Sequence, residues 1–236
     1  MFLQQGRFTE ARQAAQETLK LLPSGHAHRQ VVSELLQKCE RFLALDGKLT
    51  SILQGDGQPH DAAERIALAQ LCQGYKRRQA TAVRFYAEAF VEQPTLAGDV
   101  DAGHRYNAAC AAALAGCSQG KDAAELSDKE RAGLRQQALG WLGADLDAWQ
   151  ALLGKGPDKA HAVIIKQMQH WQQDTDFAGV RGPEAVARLP EAERPAWQKL
   201  WADVADTLAA ARRKAATEKS DPKLTSPKNK ESPAKQ

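Results

Sequence analysis

Three fragments of this chain invite a phosphoryl-transfer reading: His104-Arg105-Tyr106, Asp176-Phe177-Ala178-Gly179 and Gly182-Pro183-Glu184. Each departs from what that chemistry needs. A catalytic loop of this kind uses an aspartate to accept the proton of the substrate hydroxyl, and Tyr106 stands in its place. The metal-holding Asp-Phe-Gly is interrupted by Ala178, and only two residues separate Gly179 from Gly182, too few for an activation segment. No Gly-rich phosphate loop and no Val-Ala-Ile-Lys strand occurs, and Gly154-Lys155-Gly156 is too short to cradle a phosphate. We therefore expect no catalytic residues, no cofactor and no metal.

The other residues with chemical potential are scattered. His26, His28, His60, His104, His161 and His170 form neither an HExxH pair nor a Cys/His zinc spacing. His26 and His28 fall at a helix start and read as solvated, while His104 and His170 read as packing or hydrogen-bonding groups at helix ends. Asp99 with Asp101, and Asp174 with Asp176, could pair as carboxylates, but capping a helix or lining a turn is the simpler role. Cys39, Cys72, Cys110 and Cys117 lack a CxxC pair, and each lies in or beside a helical stretch, where a free cysteine behaves as a small apolar residue. Reduced thiols point to a reducing compartment, taken here as the cytoplasm. Residues 1–22 carry no apolar stretch of secretory type. The longest apolar run, residues 108–117, is about half of a bilayer span, so no membrane partner is expected.

The elements that must position these residues are helices. Ala, Leu, Gln, Arg and Glu dominate the first 214 residues, and runs of Val, Ile and Thr are nearly absent. Apolar spacing predicts helices over 8–22, 27–45, 61–73, 76–92, 103–116, 128–153, 158–172 and 196–214. Pro23-Ser24-Gly25, Asp46-Gly47, Gly55-Asp56-Gly57, Gly74 and the turn at 154–157 punctuate them. Residues 118–128 are a polar insertion, with Ser127 or Asp128 capping the long helix that follows. Residues 174–195 read as a loop-rich connector in which Pro190 and Pro195 restrict any long helix. The net charge of +3 is uneven: residues 212–236 hold eight basic and three acidic residues, a balance of +5, which leaves the rest at −2. From about Ala215 almost nothing apolar remains, and disorder is expected.

Certain residues recur at fixed offsets. Gly6, Phe8, Ala11 and Pro23 match the second half of a tetratricopeptide (TPR) helical hairpin, and the Ala11–Pro23 spacing returns at Ala82 and Pro94 with Tyr86 and Ala89 between them. Small residues at Ala82 and Ala89 let two helices approach closely, and the aromatics fill the space beside them. All five tryptophans follow residue 140, which reads as a terminal capping bundle. Further blocks resemble, in order, the C-terminal TPR regions of large bacterial serine/threonine protein kinases. They are Arg84-Phe85-Tyr86-Ala87-Glu88-Ala89-Phe90, the stretch from His104 to Ala115, Trp141-Leu142, His170-Trp171-Gln172-Gln173-Asp174 and Leu200-Trp201-Ala202-Asp203-Val204. The likeness covers roughly residues 1–210. It implies repeats that hold other proteins, with any kinase domain far upstream.

The expected fold is all-α. It comprises a TPR-like α-solenoid of helical hairpins over 1–117 with its first repeat truncated, a tryptophan-rich helical cap over 118–214 and a disordered basic tail over 215–236. The expected function is a non-catalytic protein-interaction scaffold. The alternative is a truncated fragment of a serine/threonine kinase acting as a regulatory segment in cis. Self-association through an apolar N-terminal edge of Met1, Phe2, Leu3 and Phe8 is a third reading. The resemblance places first helices on a concave face, where Asn107 could hold a partner's backbone by its side-chain amide. A bond to a neighbouring helix's carbonyl is the other role open to it. Arg105 belongs to the same candidate surface. Lys76, Arg77 and Arg78 would add a basic rim for an acidic partner, or else form a solvated helix start. The tail lacks aromatic groups for stacking on single strands, so no specific nucleic acid is expected. Ser226-Pro227 and Ser232-Pro233 within it could accept phosphate.

Overall fold

The computed structural model describes residues 2–155 and 160–220. They are all-helical, with no strand among the described residues, as the composition implies. No helix among them is long and apolar enough to cross a membrane. The chain divides into two compact units at the boundary between Asp145 and Leu146, inside one long helix.

In the first unit, α1 (Phe8–Leu21) packs on α2 (Arg29–Gln54). Arg29 closes the turn between them by donating to the carbonyls of Leu19 and Leu22 at 2.9 and 2.7 Å. Asp46-Gly47 does not break α2, which runs on to a left-handed Gly55. Gly55 N–H donates to Ile52 O and Asp56 N–H to Ser51 O, the paired bonds that close a helix end around a glycine. Ion pairs from Lys76 to Asp46 and from Lys48 to Glu64 flank Gly47. They hold the helix where glycine alone would cost it about 1 kcal/mol.

Phe8 is the hub of this end. It is 2% exposed, stacks on Phe42 at 5.1 Å and meets Tyr75 edge-on at 5.2 Å. This corrects the expectation that Phe8 lies on an open apolar edge: its ring joins α1, α2 and the turn after α3. Phe2 does remain exposed, with the Arg7 guanidinium 4.7 Å above its ring.

Asp61 caps α3 (Ala62–Leu71) by accepting from Glu64 N–H at 2.8 Å, a bond that holds its carboxyl below the usual range. The helix then widens into a π-helical turn, Cys72–Lys76, which takes in Gly74 instead of breaking there. A left-handed Arg77 (φ 56°) reverses the chain, and α4 starts only at Gln79, running to Glu92. Its buried Ala82, Phe85, Tyr86 and Ala89 pack between α3 and α6 (His104–Gly116), with the short α5 (Thr95–Gly98) connecting.

The polar insertion is tied down. Asp122 accepts from the Ala80 and Thr81 N–H groups at 3.2 and 2.8 Å, and Lys121 N–H donates to Arg77 O at 2.7 Å. Gly120, at φ 115°, lets the insertion approach α4: a Cβ there would stand 2.9 Å from Gln79 Cγ. Ser127 and Glu130 then form a reciprocal capping box at the start of α7 (Asp128–Lys155).

The second unit contains the end of α7, α8 (Ala160–Gln173), α9 (Pro183–Ala187) and α10 (Arg194–Ser220). Ile164, Met168 and Trp171 of α8 are fully buried, as are Trp197 and Val204 of α10. The connector contributes to this core. Phe177 and Val180 are fully buried, Trp201 Nε1 donates to Val180 O at 2.8 Å, and Arg181 donates to Trp171 O and Asp174 O. α10 continues past Ala215, where disorder was expected, because Ala215, Ala216, Glu218 and Lys219 are good helix formers. Of the turn expected at 154–157, Gly154 and Lys155 are helical; residues 156–159 and those beyond Ser220, with the Ser-Pro pairs, lie outside the described residues.

Candidate partner-binding site

The three fragments that invite phosphoryl-transfer chemistry form helix starts and turns. His104 opens α6 and Tyr106 is buried. Phe177 plugs the second unit's core beside Trp201, and Asp174 accepts from Asp176 N–H within the turn. Gly182-Pro183-Glu184 opens α9, with proline in its first turn. Asp99 likewise accepts from the N–H groups of Asp101 and Ala102. His26 and His28 are exposed, with His28 N–H donating to His26 Nδ1.

The five candidate partner-binding residues separate into committed and uncommitted groups. Arg105 is committed. Its Nε donates to Asp145 Oδ1 at 2.6 Å and an Nη donates to Ala144 O at 3.0 Å, with the Arg105 side chain 15% and the Asp145 side chain 4% exposed. Burial pushes the Asp145 carboxyl above its usual range, against the opposing pull of Arg105. Lys76 is also engaged, 2.6 Å from Asp46 Oδ2 and 5.5 Å above the Phe8 ring.

Asn107 is half-buried. Its backbone carbonyl accepts from Gln73 Nε2 at 3.1 Å, while its side-chain amide has no hydrogen bond among the described residues. Around it α6 is shut: every residue from Ala108 to Ala113 is buried. Next to Asn107, His104 Nδ1 is buried without a hydrogen-bond partner. The open part of this helix is therefore its first turn.

Arg77 is exposed and Arg78 half-exposed, and neither side chain pairs with another described residue. Arg78 and Lys76 line one wall of a cleft of about 370 Å³, whose floor and far wall are Leu49, Thr50, Leu53 and Gln54 of α2. Of the three expected rim residues, Lys76 and Arg78 border this concavity, in the turn that reverses the chain between α3 and α4, and Arg77 does not line it.

Helical spacing by itself does not tell an open apolar stripe from a core face, and such a stripe lies on α2. Of its 26 residues only Cys39 and Leu49 are fully buried, while Val31, Leu35 and Leu53 are 61%, 38% and 41% exposed. These three share a side of the helix with Phe42 and Leu49, by spacings of four and seven. That stripe is covered in its middle and open at both ends. The available signal was the excess of aliphatic residues on α2 over what one core-facing stripe can hold.

No family model, curated protein or solved structure matches this chain.

Proposed function

We propose that this chain is a non-catalytic protein-interaction scaffold of TPR type, resembling the C-terminal repeats of bacterial serine/threonine kinases. The observation that carries this reading is the open stripe on α2, with Val31 and Leu35 exposed at one end and Leu53 at the other. Contiguous apolar patches on a protein surface commonly mark interaction sites, and a helix face of this kind is suited to a partner helix or segment. A second reading, a regulatory segment acting in cis on a kinase domain, uses the same face with an occupant from the same polypeptide.

The test is photo-crosslinking in the native cell. A photoreactive phenylalanine analogue is placed at Val31, at Leu35 and, as a control, at the exposed Val163 of α8. A discrete crosslinked product from Val31 and Leu35, absent from Val163, is expected. Equal or absent crosslinking at all three positions would remove the scaffold reading. A crosslink within one polypeptide would select the regulatory reading.

A further inference from the structure

We propose that the cleft between the C-terminal half of α2 and the α3–α4 turn holds an acidic peptide segment anchored by an aliphatic side chain. The inference rests on the scaffold reading and adds the chemistry of the partner.

Three features of the cleft converge on that occupant. Its α2 wall offers an aliphatic spot among polar groups: Leu53 is 41% exposed beside Thr50 and Gln54, with Leu49, 3% exposed, beneath. Its rim is basic and unsatisfied. Lys76 neutralises Asp46, the acidic residue of the lining, whereas Arg78 has no carboxylate partner among the described residues; Arg77, next in the chain but outside the lining, has none either. The backbone of the exposed Lys121 lies against the same turn, its N–H bonding the Arg77 carbonyl. The local balance is thus positive even with Asp46 and the helix-capping Asp122 counted.

The backbone beneath the rim is also fixed. Arg77 is held left-handed, Arg78 N–H donates to Cys72 O at 3.0 Å, and the Asp122 cap secures the next turn. A turn already closed by these bonds needs no backbone ordering to present Arg78, and a guanidinium–carboxylate pair gains geometry as well as charge.

Two other clefts of similar size lack this combination. In one, Arg65 and Arg84 already face Glu88, and Arg65 also pairs with Glu92. In the other, Arg181 is bonded to the carbonyls of Trp171 and Asp174, and the exposed Arg188 shares a lining that has an acidic Glu184 and no leucine, isoleucine or valine. A nucleic acid is the poorer fit for the proposed cleft. No aromatic side chain lines it to stack on bases, and an aliphatic floor does nothing for a phosphate backbone.

The experiment uses the full chain and a fluorescein-labelled peptide of repeated Glu-Asp-Leu, followed by fluorescence anisotropy at low salt. Comparison peptides repeat Glu-Asp-Ser and Lys-Arg-Leu, and a mixed single-stranded oligonucleotide serves as competitor. Saturable binding of the Glu-Asp-Leu peptide is expected, weaker for the serine peptide and absent for the basic one. Arg78→Glu should weaken it by roughly tenfold or more, the effect of losing one charge-assisted contact, and Arg77→Glu, outside the lining, by less. Leu53→Asp should weaken it comparably.

Lys166→Glu makes the same charge change on an exposed residue of α8 and should leave binding unaltered. Circular dichroism of each variant establishes that the helices persist. Absence of saturable binding, binding indifferent to both arginine changes, or displacement by the oligonucleotide at lower concentration than by unlabelled peptide would each overturn the proposal. The crosslinks at Val31 and Leu35 are read independently. If they form while the acidic peptide does not bind, the cleft assignment falls and the scaffold reading stands.

Discussion

Helices α2 and α6 are both alanine- or leucine-rich, yet they meet solvent in opposite ways. α6 is 13 residues long and buried on nearly every side, from Tyr106 to Gly116 with only Asn107 and Leu114 partly open. α2 is twice that length and fully buries two residues. Side-chain size accounts for much of the difference. The alanines at 108–113 let neighbouring backbones close in from several directions, as Gly116 does where a Cβ would fall 2.6 Å from Arg135 Cγ. α2 instead carries large aliphatic groups around a wide arc, of which α1, α3 and the Tyr75 ring cover only the middle. An interaction surface is therefore read from the helix with more apolar bulk than neighbours, and α6, the more uniformly apolar in sequence, is core.

The comparison breaks most sharply at the closed end, at Arg105 and Asp145. If Arg105 is structural, Asp145→Ala strands a largely buried guanidinium and should cost about 3 kcal/mol. The paired change Arg105→Met with Asp145→Leu should restore stability to within about 1 kcal/mol, because both charges leave the interior together. Urea unfolding of the three proteins measures this; an unchanged midpoint for Asp145→Ala would return Arg105 to the partner-binding set.

The same pair predicts a pH effect. The folded state holds the Asp145 proton to higher pH than the unfolded chain does, so this group's contribution to stability falls as pH rises through the window above the ordinary aspartate value. Asp61, Asp128 and Glu130, lowered by hydrogen bonds, behave oppositely: their contribution is present above ordinary carboxylate values and lost on acidification. Replacing Asp145 with Asn removes a compensating gain at low pH. The variant's stability should therefore drop more steeply than the parent's between neutral and mildly acidic solution.

A second discrimination comes from adding volume. Ala112→Leu on α6 puts three more carbons where the helix has no open side and should cost about 2 kcal/mol through overpacking. A leucine accommodated at no cost, by thermal or urea unfolding, would mean that α6 has space beside it and that Asn107 belongs to an open face after all.

The helical class was legible from residue types, and most helix positions from spacing. The capping box at Ser127 and Glu130 and the stop at Gly55 followed from local rules because their partners are three to five residues apart. What escaped was set by distant residues. Gly47 stays helical because cross-helix ion pairs flank it, and Gly74 enters a π-turn closed by Arg78 N–H on Cys72 O. Asp122 caps α4 from about forty residues downstream, beyond the reach of any local motif. Of the candidate site, charge type was readable but commitment was not. Nothing in His104-Arg105-Tyr106 announces that Asp145 will take the arginine, and nothing in Lys76-Arg77-Arg78 announces that, among the described residues, only the first pairs. TPR-type stacking remains our proposal, resting on the repeat marks and on the packing of α1 with α2 and of α3 with α4.

The smallest expected stability effect is the most telling about function. Val31→Ser and Leu35→Ser on α2 should change unfolding free energy by no more than about 0.5 kcal/mol each, as exposed substitutions away from caps and strain usually do. The opposite result, a loss of about 2 kcal/mol or more, would mean that the stripe is core in solution, covered by another part of the fold or by a second copy. Concentration separates those two cases, since coverage by a second copy makes the midpoint rise with protein concentration and coverage within one chain does not. A near-zero effect that holds at every concentration, together with loss of the Leu35 crosslink in Val31→Ser and of the Val31 crosslink in Leu35→Ser, would identify side chains retained for a partner and not for folding.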